Sequence, residues 1–222
     1  MKTHSRGACG FLATWLVLSP TLLLADGALR VHFAHWQTND WQTVREPGHP
    51  QPGRWTQEAD GIRAGDKDDG PLNLLHRSVN AADVTVEARM AFTGDGAPSL
   101  LLRAQENANE AGDTYFATLH KKGINLWRRV NGRATKVAEA VFAPEPDKVY
   151  RVRATAEGWQ LRVWVDGVLR VDAEDATIPM AGRAGLWAGE GVCRFYDFSV
   201  EAKTPPPTGI ESPPWLTAGG AG

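Results

Sequence analysis

The sequence reads as an all-β protein, a two-sheet antiparallel sandwich, on three observations. Residues 83–92 alternate strictly. Val84, Val86, Ala88, Met90 and Phe92 face one way, and Thr85, Glu87, Arg89 and Ala91 face the other. That is the period of a strand with one buried face. Short apolar runs recur between Gly, Asn and Pro turn signals at the spacing of sandwiches and barrels. No segment holds three turns of apolar residues at helical spacing.

Taken in chain order, residues 1–10 carry Lys2, His4 and Arg6 and no acid, and the apolar run 11–18 follows. Ser19-Pro20 interrupts it before Leu22-Leu23-Leu24-Ala25. This is the order of a secretory signal peptide, with cleavage expected after Ala25. The apolar stretch is short and broken for a membrane span, although an uncleaved anchor stays open as the alternative. Cleavage removes Cys9 and leaves Cys193, in an expected strand, as a packed thiol without a disulfide partner.

Residues 54–58 and 61–64 read as a hairpin, and 72–77 as a strand. After 83–92, Gly94-Asp95-Gly96-Ala97-Pro98 turns the chain into 99–104. Residues 107–111 are at most a helical turn. Strands 115–120 and 124–130 are joined by Lys121-Lys122-Gly123. Asn131-Gly132 then predicts a type I′ turn back along 133–138. Strands 150–156 and 159–165, the turn Asp166-Gly167 and strand 168–172 form a meander. Strands 185–188 and 193–201 close the domain. Thr204-Pro205-Pro206-Pro207 and Ser212-Pro213-Pro214 cannot extend a sheet, because proline lacks the ladder donor. The organisation is therefore 1–25 signal, 26–203 sandwich and 204–222 Pro/Gly-rich tail.

The chain has 222 residues, 24 basic and 26 acidic side chains, and 42% hydrophobic residues. That balance excludes a nucleic-acid or polybasic membrane footprint and whole-chain disorder. Trp is abundant, 9 against 3 Tyr, and either fills a β core or lines a flat recognition surface.

Three runs carry a family resemblance. The segment Trp159-Gln160-Leu161-Arg162-Val163-Trp164-Val165-Asp166-Gly167-Val168-Leu169 resembles the strand–DG–strand hairpin of concanavalin A-like (laminin G-like) jelly rolls. Ala181-Gly182-Arg183-Ala184-Gly185-Leu186-Trp187 resembles their Gly-Leu-Trp crossover, and Arg194-Phe195-Tyr196-Asp197-Phe198-Ser199-Val200 their closing strand. Residues 55–63 and 72–92 resemble the opening of the bacterial 3-keto-disaccharide hydrolase-type domain, which shares that fold. The resemblance implies a jelly roll, and the signal-like segment before it implies export to the periplasm or outside the cell. It implies carbohydrate as the partner, recognised on a concave sheet face, and a structural Ca²⁺ on Asp197. Fold alone does not decide function.

Strand parity supplies candidate outward residues: Glu87, Arg103, His120, Trp127, Arg129, Arg162 and Trp164, read as one surface rich in Arg and Trp. Trp rings suit the C–H faces of sugars, and Arg or His donors suit hydroxyls. Both faces of the 159–172 hairpin are half apolar, so Trp164 either faces out or is covered by a loop or by residues 31–41. Trp159 and Trp187 are expected to pack, and Trp36, Trp41 and Trp55 are unplaced. Arg103 pairing with Glu87, and His120 as a solvated strand end, are the plainer alternatives.

Glycoside hydrolases of this superfamily carry alternating acids on one strand, and no such run occurs here. Leu101-Leu102-Arg103 matches the 3-keto-disaccharide hydrolase pattern, but Tyr115-Phe116-Ala117-Thr118 lacks the acid that follows in it. A hydrolase would need Glu87, Arg103 and Glu190 to converge. Asp66, Asp68 and Asp69 cluster in a turn without the spacing of a calcium loop. Three functions follow as expectations: a non-catalytic glycan-binding domain, a glycoside-processing hydrolase, or a structural or adhesive domain.

Overall fold

Strands that bury one face need a second sheet to bury it against, and the chain supplies two. The computed structural model describes residues 28–49, 53–65, 72–107 and 110–203. The expected signal segment, the tail, Trp15, Trp215, Cys9 and the 66–69 cluster lie outside those residues. Numbered in chain order, the first sheet holds β1 (Ala28–His32), β3 (Trp55–Gln57), β4 (Ile62–Ala64), β6 (Asp83–Thr93), β13 (Tyr150–Glu157), β14 (Gln160–Val165), β15 (Val168–Glu174) and β17 (Val192–Lys203). Its order is β15-β14-β13-β6-β17-β4-β3, with β1 also paired to β17. The second sheet holds β2 (Trp41–Val44), β5 (Leu72–His76), β7 (Pro98–Ala104), β10 (Thr114–His120), β11 (Gly123–Val130), β12 (Arg133–Val141) and β16 (Arg183–Ala188). Its order is β12-β11-β10-β7-β16-β5-β2.

Successive strands cross between the sheets at β5–β6–β7, β12–β13 and β15–β16–β17. This is the interlocked winding of a jelly roll, and every ladder is antiparallel, as expected. β8 (Glu106–Asn107) pairs antiparallel with β9 (Glu110–Ala111), and the described residues of 107–111 are extended where at most a helical turn was expected. Among the described residues no helix is long and apolar enough to cross a membrane.

The alternation read in the sequence builds the core. Val84, Val86, Ala88, Met90 and Phe92 of β6 are buried with Val152, Ala154, Leu161 and Val163. From the second sheet they meet Leu100, Leu102, Tyr115, Ala117, Leu126 and Leu186. Trp41 packs edge-on against His76 and Phe198, at 4.9 and 5.0 Å between centroids, and Trp55 lies 5.7 Å from Phe195. Both therefore belong to the core. Cys193 is fully buried, and burial pushes its thiol up to about 12, which leaves it unreactive at neutral pH.

Arg103 departs from the expected outward position. A bulge opposite Arg183 and Gly185 and a φ of 51° at Arg103 break the alternation of β7. Leu101 faces out as parity requires, but the Arg103 side chain turns inward and is 1% exposed. Its guanidinium donates to the carbonyls of Ala82 at 2.6 Å, Ile178 at 2.9 Å and Gly158 at 2.6 Å. Asp83 lies 3.6 Å away. Every direction of the fork is used inside the protein, so Arg103 is a structural tie and not a ligand or catalytic group.

A second tie lies beside it. The Tyr115 hydroxyl donates to Asp175 Oδ1 at 2.8 Å and accepts the Ile178 N–H at 3.0 Å. Arg128 reaches Asp175 Oδ2 at 2.6 Å. Burial pushes the Asp175 carboxyl up, but hydrogen bonds from Thr177 and Tyr115 and the Arg128 charge together outweigh it. Asp175 is held below the ordinary carboxylate range.

Two outcomes are expected. Arg103→Met leaves buried carbonyls without donors and lowers unfolding free energy by at least about 3 kcal/mol, read from urea denaturation at unchanged m-value. The Asp175 stabilisation is fully present above the ordinary carboxylate pKa and is lost as pH falls through that value towards the lower folded one. Asp175→Asn therefore unfolds more easily at pH 7 and loses less further stability between pH 5 and pH 3 than the wild type, by urea midpoints at each pH.

Candidate functional site

The outer face of the second sheet carries two rows of side chains that cross the strands. Pairing aligns Val44, Asn73, Trp187, Ser99, Thr118 and Asn125 in one row. The next row holds Gln42, Leu75, Gly185, Leu101, Phe116 and Trp127. Phe116 and Trp127 stack at 6.3 Å with 14° between planes, and Trp187 lies 5.6 Å from Phe116 at 42°. Val44, Leu75, Leu101, Ala104 and Ala111 pack with Phe116 as a small apolar cluster, separate from the main core. Trp127 and Trp187 are half-buried on it. The result is a firm aromatic platform on an outer surface.

Polar groups border this platform. The Glu46 carboxylate accepts the Asn73 Nδ2 at 2.6 Å through one oxygen and the Arg129 guanidinium through the other. Arg129 Nε also donates to the Gly112 carbonyl at 3.1 Å. Asn73 and Arg129 sit on β5 and β11, four strand steps apart. In a flat sheet their backbones would be roughly 19 Å apart, at about 4.8 Å per step. The long Arg129 side chain, the Glu46 carboxylate and the Asn73 amide together cover that span on the outer face, the side expected to be concave in this fold. A second cluster joins Glu106, Arg183 and Gln42. Arg183 lies 3.0 Å from Glu106 and donates to Gln42 Oε1 at 2.6 Å.

Asn73 Oδ1 on this face is buried without a hydrogen-bond partner among the described residues, and the Asn125 side chain interacts with the His120 ring. His120 Nδ1 accepts the Lys122 N–H at 3.3 Å. Burial pulls the His120 pKa below its ordinary value, which keeps the ring neutral at pH 7 with Nε2 as its donor.

The structure divides the expected single surface into two. His120, Trp127 and Arg129 lie on the concave face. Glu87, Arg162 and Trp164 lie on the outer face of the first sheet, across the sandwich. Parity fixes which face of a strand a residue takes, but not which sheet the strand joins. A bulge between Val163 and Trp164 leaves Trp164 beside exposed Leu169 while Val171 turns into the core.

Glu87 and Glu190 do not converge. Val192 pairs with Thr93, six residues along β6 from Glu87, which is roughly 20 Å at the strand rise. Asp197 does not fit the expected calcium role. One oxygen accepts the Arg89 N–H at 2.9 Å and the other the Arg89 guanidinium at 2.5 Å. A hard cation needs several free oxygens there, and among the described residues no three metal-binding side chains cluster.

The sequence reading missed Trp187, Asn73, Glu46, Glu106 and Arg183. Trp187 was legible, because Leu186 in the core forces its neighbour outward. Glu46 lies in a loop with no periodic signal.

No family model matches the chain. It is 25% identical over 167 residues to the levanase of Bacillus subtilis (strain 168), a match covering 73% of this chain and 23% of that protein. The chain thus spans under a quarter of that curated relative's length. Among solved structures it is similar to the carbohydrate binding module CBM66 from Bacillus subtilis, with a TM-score of 0.64 at 24% identity, covering 73% of this chain and 96% of that one. The β-glucanase of Bacillus licheniformis matches with a TM-score of 0.61 at 10% identity, over 82% of this chain and 100% of that one.

Glu46→Gln removes the charge that compensates buried Arg129. It is expected to lower stability by about 3 kcal/mol, the scale for orphaning one member of a buried ion pair, measured by chemical denaturation.

Proposed function

On a fold shared with the concanavalin A-like lectins and glucanases, we propose that the concave face binds a glycan and does not cleave it. The observation that carries this reading is the Phe116–Trp127–Trp187 platform bordered by the Asn73–Glu46–Arg129 and Gln42–Glu106–Arg183 clusters. Indole faces pack against the C–H side of a sugar ring, and carboxylates, amides and guanidinium edges exchange hydrogen bonds with its hydroxyls. The names of two similar proteins, a levanase and a carbohydrate binding module, support a polysaccharide ligand and make levan the first polymer to test.

Hydrolysis is less well supported than binding. Two carboxyl groups at a set separation, one of them protonated, are needed to cleave a glycosidic bond. The acids around this face are each ion-paired: Glu46 with Arg129, Glu106 with Arg183, Glu110 with Arg45 and Glu139 with Lys136. Each already engages a basic partner, and the hydrogen bond and charge of Lys136 hold the Glu139 carboxyl below its ordinary range, the wrong direction for a general acid. Lys136 Nζ hangs 5.5 Å over the Trp127 ring, on an exposed strand, where a sugar ring can displace it. The charged-apolar-small order of residues 1–25 supports a secreted or periplasmic location for this activity.

The test is a glycan array with the full chain, followed by calorimetry on the polymers that bind, with levan and a β-glucan included. Trp127→Ala and Trp187→Ala are each expected to weaken binding at least about tenfold, the scale of a lost aromatic contact. Leu169→Ser, on the opposite sheet, leaves it within about twofold, as a surface change away from the site does. Binding to no glycan, or binding indifferent to both Trp changes, overturns the proposal.

A further inference from the structure

The outer face of the first sheet holds a separate hollow of about 300 Å³, lined by Glu87, Arg151, Arg153, Trp164 and Gly167. Its volume is at the lower end of the range for small-ligand pockets. Strand alternation places Arg151 and Arg153 on one face of β13. Arg153 is flanked in register by Glu87 of β6 and Trp164 of β14.

The two arginines are in different electrostatic situations. Arg151 faces the Glu87 carboxylate at 3.6 Å, and its backbone N–H donates to Asp166 Oδ1 at 2.9 Å. Arg153 has no carboxylate within ion-pair distance among the described residues. Its guanidinium instead lies 5.6 Å over the Trp164 ring. Stacking engages the flat face of a guanidinium and leaves the N–H edge free, while fixing its orientation in advance. The lining therefore carries one net positive charge, on a pre-positioned fork at the wall of a hollow.

We propose that this hollow is a second binding site that takes a carboxylate-bearing ligand of about monosaccharide size. The carboxylate pairs edge-on with Arg153, and the body of the ligand lies against Trp164 and Gly167. A fork-to-carboxylate pair is the strongest hydrogen-bonded arrangement open to Arg153. Glu87, beside it, is a like charge that the ligand must tolerate and that Arg151 partly offsets. A uronic acid unit of a glycan and a simple organic acid share this chemistry. The site is independent of the concave face, and neither proposal requires the other.

The test follows indole N–H resonances of the full chain by NMR, assigned with Trp164→Phe and Trp127→Phe. Glucuronate, acetate and glucose are the titrants. The Trp164 indole is expected to shift saturably with glucuronate, and the Trp127 indole not to follow it. Acetate reproducing the shift assigns the site to carboxylates in general, and acetate failing to do so assigns it to sugar acids. Arg153→Gln weakens the glucuronate response at least about tenfold, and Arg153→Lys restores part of it. Glu87→Gln tightens it, because a like charge is gone, which a purely structural role for Glu87 would not do. A glucuronate response that survives Arg153→Gln, an equal response to glucose, or no saturable response overturns the proposal.

Discussion

A sandwich is held within each sheet by ladders and between sheets by apolar contact, and neither secures the loops at its ends. In this protein a buried guanidinium ties together three of those connecting segments. Arg103 binds the carbonyls of Ala82, Gly158 and Ile178, from three segments far apart in sequence. Those segments are the approach to β6, the β13–β14 turn and the crossover into β16. Ladder hydrogen bonds cannot reach these carbonyls, because the strands have ended. Water cannot serve them either where they are enclosed. Arg is the side chain with enough donors in a fixed geometry to satisfy all three. The Tyr115–Asp175–Arg128 group extends the tie to β11 and fixes the same crossover. The crossover delivers β16, and with it Trp187 and Arg183, to the centre of the concave sheet. The geometry of the concave aromatic face thus depends on a polar knot inside the fold.

On that face, Glu46 has a comparable organising role. It arrives from a loop, yet it links strands at opposite sides of the sheet by bonding Asn73 and Arg129. Buried charge is tolerated there because the carboxylate and guanidinium compensate each other and use their remaining lone pairs and protons. The aromatic platform between them rests on its own apolar cluster and not on the main core. A platform backed in this way loses little side-chain entropy on binding, because the rings are already held.

How far the sequence reveals this can be followed residue by residue. Hairpins are legible because their signals are local. Asn131-Gly132 and Asp166-Gly167 both adopt positive φ, at 50° and 74°, and 50° and 79°. Parity is legible wherever alternation is strict, and Trp127, Arg129 and His120 lie on the outer side of their strands, with Arg129 buried there by Glu46. Sheet membership is not legible, because crossovers between sheets leave no periodic trace. Trp164 and Trp127 have equivalent local patterns and end on opposite sides of the protein. Arg103 misled for a related reason. A non-glycine residue at positive φ carries no compositional marker, and here it turns Arg103 inward and places Ala104 in the outer apolar cluster. Glu46 was hidden because loop positions have neither period nor register.

The two outer faces of the sandwich therefore differ in kind. The concave face is a wide aromatic floor whose charges are paired among themselves, so the glycan binding proposed for it would draw on C–H packing. Such a surface favours a neutral, hydroxyl-rich chain over an ion, since an added charge would have to compete with ion pairs already made. The face of the first sheet is the reverse. Its Trp164 ring is covered by a cation, and the attraction that remains is the unpaired charge of Arg153. A polymer carrying both neutral and acidic units could engage the faces separately but not along one stretch of chain, because the full thickness of the core lies between them. Simultaneous engagement of the two proposed sites would then require distinct chains.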